Sequence, residues 1–547
     1  MTGQLLDAPV AAPDDLTPEE RARIAPYVTN TTGSIFALVN LPEAVKGALF
    51  ARYSRSAKSL RRILLEEFLP PEDAGAPIGE GPGSQRAEDF FQRVLADYGD
   101  DSVAQLGAAH IAVEGASNIL TKVLQWGRLA SYLEQSTRYI PYNDRPGGQF
   151  RYHRPSAVIA HPDLGPKYVS TLDRAFHEYS ELIPLLGAHL ERTVPGDAAV
   201  PEAARSRAIR ARALDGLRGL LPAATRSNVG IFASGQAYEA MLVRMLAHPL
   251  PEARDCAVQM LGELRHVIPA FLTRVDRPDR GAVHGTYLSE TAEAARALAD
   301  ELVDPGSIDR PGVTVRLLEF DPDGEARVLR HALWAAGSSS LEHVTGQVAR
   351  LSRQEIAAHL ATLAGERRDR RHRPGRALEA TNYAFEIVCD YGAYRDLQRH
   401  RLLSLQAQTL TPALGYDVPP DVEAAGLADR YEATQAACTA LYTALGATIP
   451  AAAAYAVTMA HRIRFTMVMN AREAMHLIEL RSQPQGHESY RHVAQAMHRE
   501  ISEVAGHTAI AAMMRFVDQS GAGGGRMNAE ARLEARSQDA ALQSPSS

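Results

Sequence analysis

The sequence predicts an α+β fold: two tandem copies of one helix-rich unit, each with a small, mainly antiparallel sheet. Three observations carry that expectation. Long Ala/Leu/Arg stretches place apolar residues at helical spacing, while strand candidates are few and short. Four sequence blocks also recur, in the same order, in the two halves of the chain. Few strands among many helices favour α+β over a strictly alternating α/β arrangement.

Residues 1–29, rich in Ala, Pro and Asp, read as a loose arm. Ser34–Val39 (SIFALV) is the first strand candidate, and helical spacing covers 42–68 and 88–99, on either side of a Gly/Pro-rich loop from Asp73 to Gln85. Phe150–His153 and Ala157–Ala160 are further strand candidates, then 169–192 and 284–303 read as helix. Val313–Phe320 (VTVRLLEF) has the β-branched content of a strand, and 422–446 is again helical. From Gly521 the chain is Gly- and Ser-rich and is expected to be disordered to 547.

The duplication sets the domain plan. SIFALVNLPEAVKGALFARYS parallels VRLLEFDPDGEARVLRHALW, and DSVAQLGAAHIAVEG parallels SSSLEHVTGQVARLS. GRLASYLEQSTRYIPY parallels HRLLSLQAQTLTPALGY at one offset of 273 residues, which joins Arg128 to Arg401 and Gln135 to Gln408. YEAMLVRMLAHPLPEARDCAVQM parallels REAMHLIELRSQPQGHESYRHVAQAM. The repeats are placed at 30–290 and 313–520, with 291–312 as the linker and DPGSIDRPG (Asp304–Gly312) as its joint.

Composition excludes several classes. A net charge of −7 argues against sequence-independent nucleic-acid binding, which needs a basic face. Cys256, Cys389 and Cys438 are widely spaced, offering neither a disulfide framework nor a thiolate metal site, so no metal is expected. The acidic start lacks a signal-peptide pattern, and no apolar run approaches the ~20 residues of a membrane span. A cytoplasmic protein with no membrane partner is expected.

Three polar blocks carry chemistry. Arg399, His400 and Arg401 are consecutive, so on a helix they fan across about 200°. In a cleft they could reach different ligand groups; by composition alone a solvated face is the plainer reading. Tyr132–Tyr139 (YLEQSTRY) offers hydroxyls and a cation for a phosphate, or is simply a helix-ending turn. Asn470–Arg481 (NAREAMHLIELR) places Asn470, Glu473 and His476 near one helical face, as a ligand-holding helix or an amphipathic surface one.

RHR with a Ser/Gln-containing stretch after it, then NAR…HL..LR some 70 residues on, resembles the two signature regions of flavin-dependent thymidylate synthases. EGASNILTKVLQWGRLASYLEQSTRY is similar to that family's stretch around the same signature, and the likeness spans most of 30–520 as two copies of a fold normally present once. The copies have diverged in complementary ways. The first has Trp126-Gly127-Arg128 in place of Arg-His-Arg but keeps Glu134, Ser136, Arg138, Tyr139 and Arg218 of Arg-x-x-Leu-Pro. The second keeps Arg399-His400-Arg401, Asn-Ala-Arg and Glu342-His343 but has Ala407, Thr409, Thr411 and Pro412 downstream.

The resemblance implies one composite site per chain and a homodimer imitating the family's homotetramer. It implies C5 methylation of dUMP, with FAD as cofactor and methylenetetrahydrofolate and NADPH as co-substrates. Glu134, Ser136, Arg138 and Arg218 would hold the nucleotide, and Arg399 and Arg481 would bind it and polarise the pyrimidine carbonyls as the catalytic cations. Arg399, His400, Arg401, Ser339, Glu342, Asn470, Arg472 and His476 would hold FAD. Two departures stand out. Asp396 occupies a position where the family tends to have Gln, which could alter the base or sugar accepted, and the insertion between Tyr142 and Arg210 has no family counterpart. The alternatives are another pyrimidine nucleotide as substrate, or a non-catalytic flavin- or nucleotide-binding scaffold.

Overall fold

A computed structural model describes residues 16–32, 35–53, 56, 58–69, 105–138, 140–196, 200–304, 312–521 and 531. The loop from Asp73 to Gln85, the helix expected at 88–99 and most of the tail lie outside these residues. Seven strands are described: β1 Ala108–Ser117, β2 Ala130–Glu134, β3 Arg226–Ser234, β4 Thr314–Phe320, β5 Asn382–Asp390, β6 Ser404–Ala407 and β7 Arg462–Asn470. The helices that matter below are α1 Asn118–Leu124, α2 Leu164–Thr193, α3 Glu202–Leu217, α4 Gly235–Leu246, α5 Gly281–Leu302, α6 Leu341–Val348, α7 Tyr391–Leu397, α8 Ala428–Thr448, α9 Ala471–Arg481 and α10 Glu488–Glu503.

The strands form two sheets, ordered β1-β3-β2 and β4-β5-β7-β6. The duplication is visible in that order. In each half a strand runs into a helix (β1 into α1, β5 into α7), and its neighbour does the same (β3 into α4, β7 into α9). A short strand, β2 or β6, closes the far edge by antiparallel pairing. β5 and β7 pair in unbroken antiparallel register from Asn382↔Asn470 to Asp390↔Arg462. β7 alternates buried and less buried residues along its length, the mark of a sheet covered on one face.

Two compact units result. The first draws its described residues from Met1–Glu114, Gly127–Glu134 and Asn228–Asp304; the second from Gly115–Trp126, Gln135–Ser227 and Pro305–Ser547. In the first, α4 buries Tyr238, Met241, Leu242 and Met245, and the Tyr238 hydroxyl donates to the carbonyls of Ala109 and Ile231. α5 starts at Gly281, where a Cβ would fall 1.8 Å from the Val275 carbonyl oxygen, so only glycine fits. In the second unit the insertion after Tyr142 becomes α2, which buries Tyr168, Leu172, Phe176 and Tyr179 and packs against α8.

The strand expectations need correcting. Val313–Phe320 is β4, but Ala157–Ala160 is helical: Ser156–Ile159 forms one turn because the Pro155 carbonyl accepts from the amides of Val158 and Ile159. Phe150–His153 makes a single bridge, Tyr152↔Thr225, and the described part of Ser34–Val39 makes one, Val28↔Leu38.

One turn bolts the first repeat's Arg218 into the second unit. Arg218–Leu220 is a 3₁₀ turn whose Gly219 carbonyl accepts from the Ala460 amide at 3.2 Å and Gln435 Nε2 at 3.2 Å. A Cβ on Gly219 would lie 2.0 Å from the Tyr431 hydroxyl and 3.1 Å from Ala460 Cβ. Gly219→Ala should therefore destabilise the protein by about 1–3 kcal/mol in urea unfolding. An unchanged midpoint would mean the contact yields freely.

Candidate functional site

The arginine and histidine clusters described here lie within the second unit. β5 ends at Asp390, whose carboxylate accepts from the Ala393 amide at 2.8 Å and caps α7. Every residue of α7 is buried, and the Tyr391 hydroxyl donates to the Asn118 carbonyl, so α7 is fixed against α1 from the first repeat. The Arg399-His400-Arg401 trio lies just past the helix end in a turn, so the helical fan does not apply. The turn leaves Arg399 exposed, buries His400 and half-buries Arg401.

Asp396, near the end of α7, is the centre of an arginine cluster. Its Oδ2 lies 3.5 Å from Arg218 Nη1 and its Oδ1 3.7 Å from Arg399 Nε. Burial opposes its charge, but Arg399, Arg218, Arg481 and Arg138 together pull its carboxyl down to about 2, so it is ionised. Arg138 is held by Asp215 through a fork of 2.9 and 3.1 Å, and it donates to the Tyr490 hydroxyl at 2.9 Å and the Gln485 carbonyl at 3.0 Å. Arg218 is 3% exposed, and its Nη2 has no hydrogen-bond partner among the described residues. That nitrogen lies 3.9 Å from Asp390. Arg481, in the last turn of α9, stands 5.6 Å over the Tyr490 ring. Burial, and the neighbouring Arg399 and Arg138, push its guanidinium pKa down, with Asp396 and Tyr490 opposing. Four guanidiniums surround the carboxylates of Asp215, Asp390 and Asp396, a net positive cluster suited to an anion.

A second group adjoins it. Arg481 Nε donates to His400 Nε2 at 2.9 Å, so Nδ1 carries the ring proton and donates to Glu473 Oε1 at 3.2 Å. Burial, then Arg481 and other cations, hold His400 well below its usual pKa. Burial pushes Glu473 up to about 7 against the pull of Arg373 and Arg472. His476 stacks edge-on at 5.3 Å from His400 and lies 2.9 Å from Arg373 Nη2. Burial and then Arg373, Arg370, Arg481 and Arg472 bring it to about 4. Ligand atoms of His400, Glu473 and His476 lie within 4.8 Å of one another. The surrounding arginines make that space hostile to a metal cation, and two of them already engage the imidazoles. A diphosphate fits the same cation density, so the residues present suit a flavin nucleotide.

The structure thus brings Arg138 and Arg218 of the first repeat together with Arg399 and Arg481 of the second. Ser136 accepts the Arg138 amide at 3.2 Å and shapes that turn; Tyr139 lies outside the described residues. Glu134 is buried at the end of β2 in the first unit. Asn470 caps α9 through Glu473 N at 2.9 Å, and Arg472 donates to the Pro374 carbonyl at 3.1 Å. Ser339 and Glu342 are exposed at the start of α6, and among the described residues no hydrogen bond or ion pair ties them to the cluster. Sequence reasoning missed Asp215, Tyr490, Arg373 and Arg367. Asp215 was visible as the residue one helical turn before Arg218. Arg367, locked bidentately to Glu479 at 2.6 and 2.7 Å, anchors the loop that carries Arg373 and had no local signal.

The fold and site define a duplicated α+β protein with a mostly buried cluster of arginines around Asp396. A family model described as "Thymidylate synthase complementing protein" (Thy1) matches residues 48–270 and 316–506. A "UPF0159 protein" of Chlamydia muridarum (strain MoPn / Nigg) is 37% identical over 530 residues, covering 95% of this chain and 99% of its own. A "Flavin-dependent thymidylate synthase" of Mycobacterium sp. (strain KMS) is 28% identical over 181 residues, 33% of this chain and 67% of its own. The solved UMP/dUMP methylase PolB from Streptomyces cacaoi aligns at 16% identity over 38% of this chain and 99% of that one, with a TM-score of 0.29, too low to carry an argument. The chain belongs to the Thy1, or thymidylate synthase complementing protein, family. Among the described residues no helix is long and apolar enough to cross a membrane.

Glu473 gives a pH prediction. Its folded pKa lies above the ordinary carboxyl value, so the neutral form is favoured and its stabilising contribution is lost as pH rises through about 7. Glu473→Gln keeps the acceptor for His400 without the charge. The variant should match the wild type near pH 5 and gain on the order of 2 kcal/mol relative to it by pH 8, in urea titrations. A gap that does not change with pH would contradict this.

Proposed function

We propose that this chain reductively methylates dUMP at C5 to give dTMP, using methylenetetrahydrofolate and NADPH, at one site that both repeats supply. The observation that carries the reading is the convergence of Arg138 and Arg218 with Arg399 and Arg481 around Asp396. Family membership and the flavin-dependent relatives support the reaction class.

In this reading Ser136, Arg138 and Arg218 hold the nucleotide's phosphate and sugar, where Arg218 Nη2, 3.9 Å from Asp390 and without a hydrogen bond among the described residues, is a donor still to be satisfied. Arg399 and Arg481 bind the pyrimidine and stabilise the negative charge that develops on its carbonyls as C5 becomes nucleophilic. His400, Arg401, Asn470, Arg472 and His476 hold FAD, with Arg373 as a further cation. Reduced FAD, when bound, supplies the hydride. The active protein is a cytoplasmic homodimer whose repeats, 30–290 and 313–520, divide the nucleotide and flavin roles.

The test is dUMP-dependent NADPH oxidation together with the flavin absorbance of purified protein. Arg138→Ala and Arg399→Ala should each lower kcat/KM by about 100-fold or more, the scale for losing a preorganised charge. Trp126→Phe and Thr411→Ala should stay within a few-fold of wild type. Full activity in both arginine variants would defeat the composite site. Flavin binding with no dUMP-dependent oxidation would leave a nucleotide- and flavin-binding scaffold.

A further inference from the structure

α5 lies in the gap between the two stretches that match the family model, so the family fold does not account for it. It is 22 residues long, about 33 Å. Its first turns rest on the end of α4: a Cβ on Gly285 would lie 3.8 Å from Ala247 Cβ, and the Ser289 hydroxyl donates to the Ala247 carbonyl at 3.2 Å. From Glu290 to Leu302 every residue is exposed. A helical segment this short with bare sides is marginal in water, so a contact is needed to hold it. The exposure is not scattered. Val283, Tyr287, Leu298 and Leu302 are 59%, 61%, 53% and 73% exposed. With Thr291 and Ala294 they fall within about 100° of one helical face, while Gly285 and Ser289 lie on the opposite side. An apolar stripe at three- and four-residue spacing, turned away from the body, is the pattern of a helix–helix seam.

The charges at the two ends say what covers it. The N-cap is Arg280 and the first turn brings His284, with no acid; the C-terminal end carries Asp300 and Glu301, with no base in the last turn. A helix dipole disfavours cations at the N-terminus and anions at the C-terminus. A partner helix running the other way offsets both, because each Asp300–Glu301 end comes beside the other helix's Arg280 and His284. A parallel pair would set acid against acid. One antiparallel register also matches the stripe to itself, with Val283 against Leu302, Tyr287 against Leu298 and Thr291 against Ala294. The apolar row and the end charges are therefore both self-complementary, as a two-fold contact between identical surfaces requires. We infer that α5 is a dimerisation helix, packed antiparallel along Val283, Tyr287, Leu298 and Leu302 against α5 of a second copy of this chain. The inference rests on the homodimer in the reading above, not on its chemistry, and names the surface that builds it.

Sedimentation equilibrium on the full-length protein tests it. The wild type should be a dimer, and Val283→Glu and Leu298→Glu should each raise the dimer dissociation constant at least about tenfold, the scale of losing an apolar anchor on both sides of a seam. Both positions are exposed in the single chain, so the variants should keep the wild-type circular dichroism. Disulfide trapping gives a second measurement that does not depend on the glutamate variants. Tyr287→Cys and Leu298→Cys chains, co-expressed and oxidised, should form an interchain disulfide with each other, and Leu298→Cys alone should not; Cys256, Cys389 and Cys438 are buried and add no background. A wild-type dimer that both glutamate variants leave intact, with no disulfide between the cysteine variants, overturns the inference alone and puts the dimer contact elsewhere. Leu298→Cys linking to itself as readily as to Tyr287→Cys overturns the antiparallel packing. A monomeric wild type overturns the inference and the homodimer together, leaving the nucleotide chemistry to its own assay.

Discussion

The site hangs on one carboxylate among four arginines. Without Asp396, the guanidiniums of Arg138, Arg218, Arg399 and Arg481 would repel one another in a mostly buried space, where Coulomb energies are several times those in water. With it they converge without collapsing. Asp215 performs the same service for Arg138, and Asp390 for Arg218. The result is a preorganised set of donors, and a bound anion would complete it without rearrangement.

The duplication makes this economical. α7 and α9 end strands β5 and β7, so sheet register places Asp396, His400, Glu473 and Arg481 relative to one another. The first repeat contributes from outside that sheet, through the turn at Arg138 and the 3₁₀ turn at Arg218, both held within the same compact unit. At the corresponding end of β3 the first repeat has Ser234 as helix cap and α4 in place of α9, with none of the His400–Glu473–Arg481 chain.

Much of this was legible from sequence because the motifs survive locally. Arg138, Arg218, Arg399 and Arg481 stand in short blocks whose order and repetition mark them out. The helices were legible too: α2, α5 and α8 all fall where apolar residues recur at helical spacing. The strands were harder. β1 (AAHIAVEGAS) and β3 (RSNVGIFAS) are diluted by Ala, Gly and Ser, and β6 is only four residues, so their strand character comes from cross-strand pairing rather than propensity. β7 alternates well but was not among the strand candidates. Arg367 and Tyr490 were invisible as site residues because their partners are remote in sequence, and only packing brings Tyr490 to Arg138. Ser339 and Glu342 show the opposite case, a local motif whose placement among the described residues is exposed and apart from the cluster.

The central claim is that two diverged repeats make one nucleotide site per chain. Equilibrium dialysis of labelled dUMP against the full-length protein at saturating FAD measures it most directly. The account predicts one dUMP bound per chain. Two per chain would mean that each repeat keeps its own site, and none would mean that the arginine cluster around Asp396 serves something other than this nucleotide.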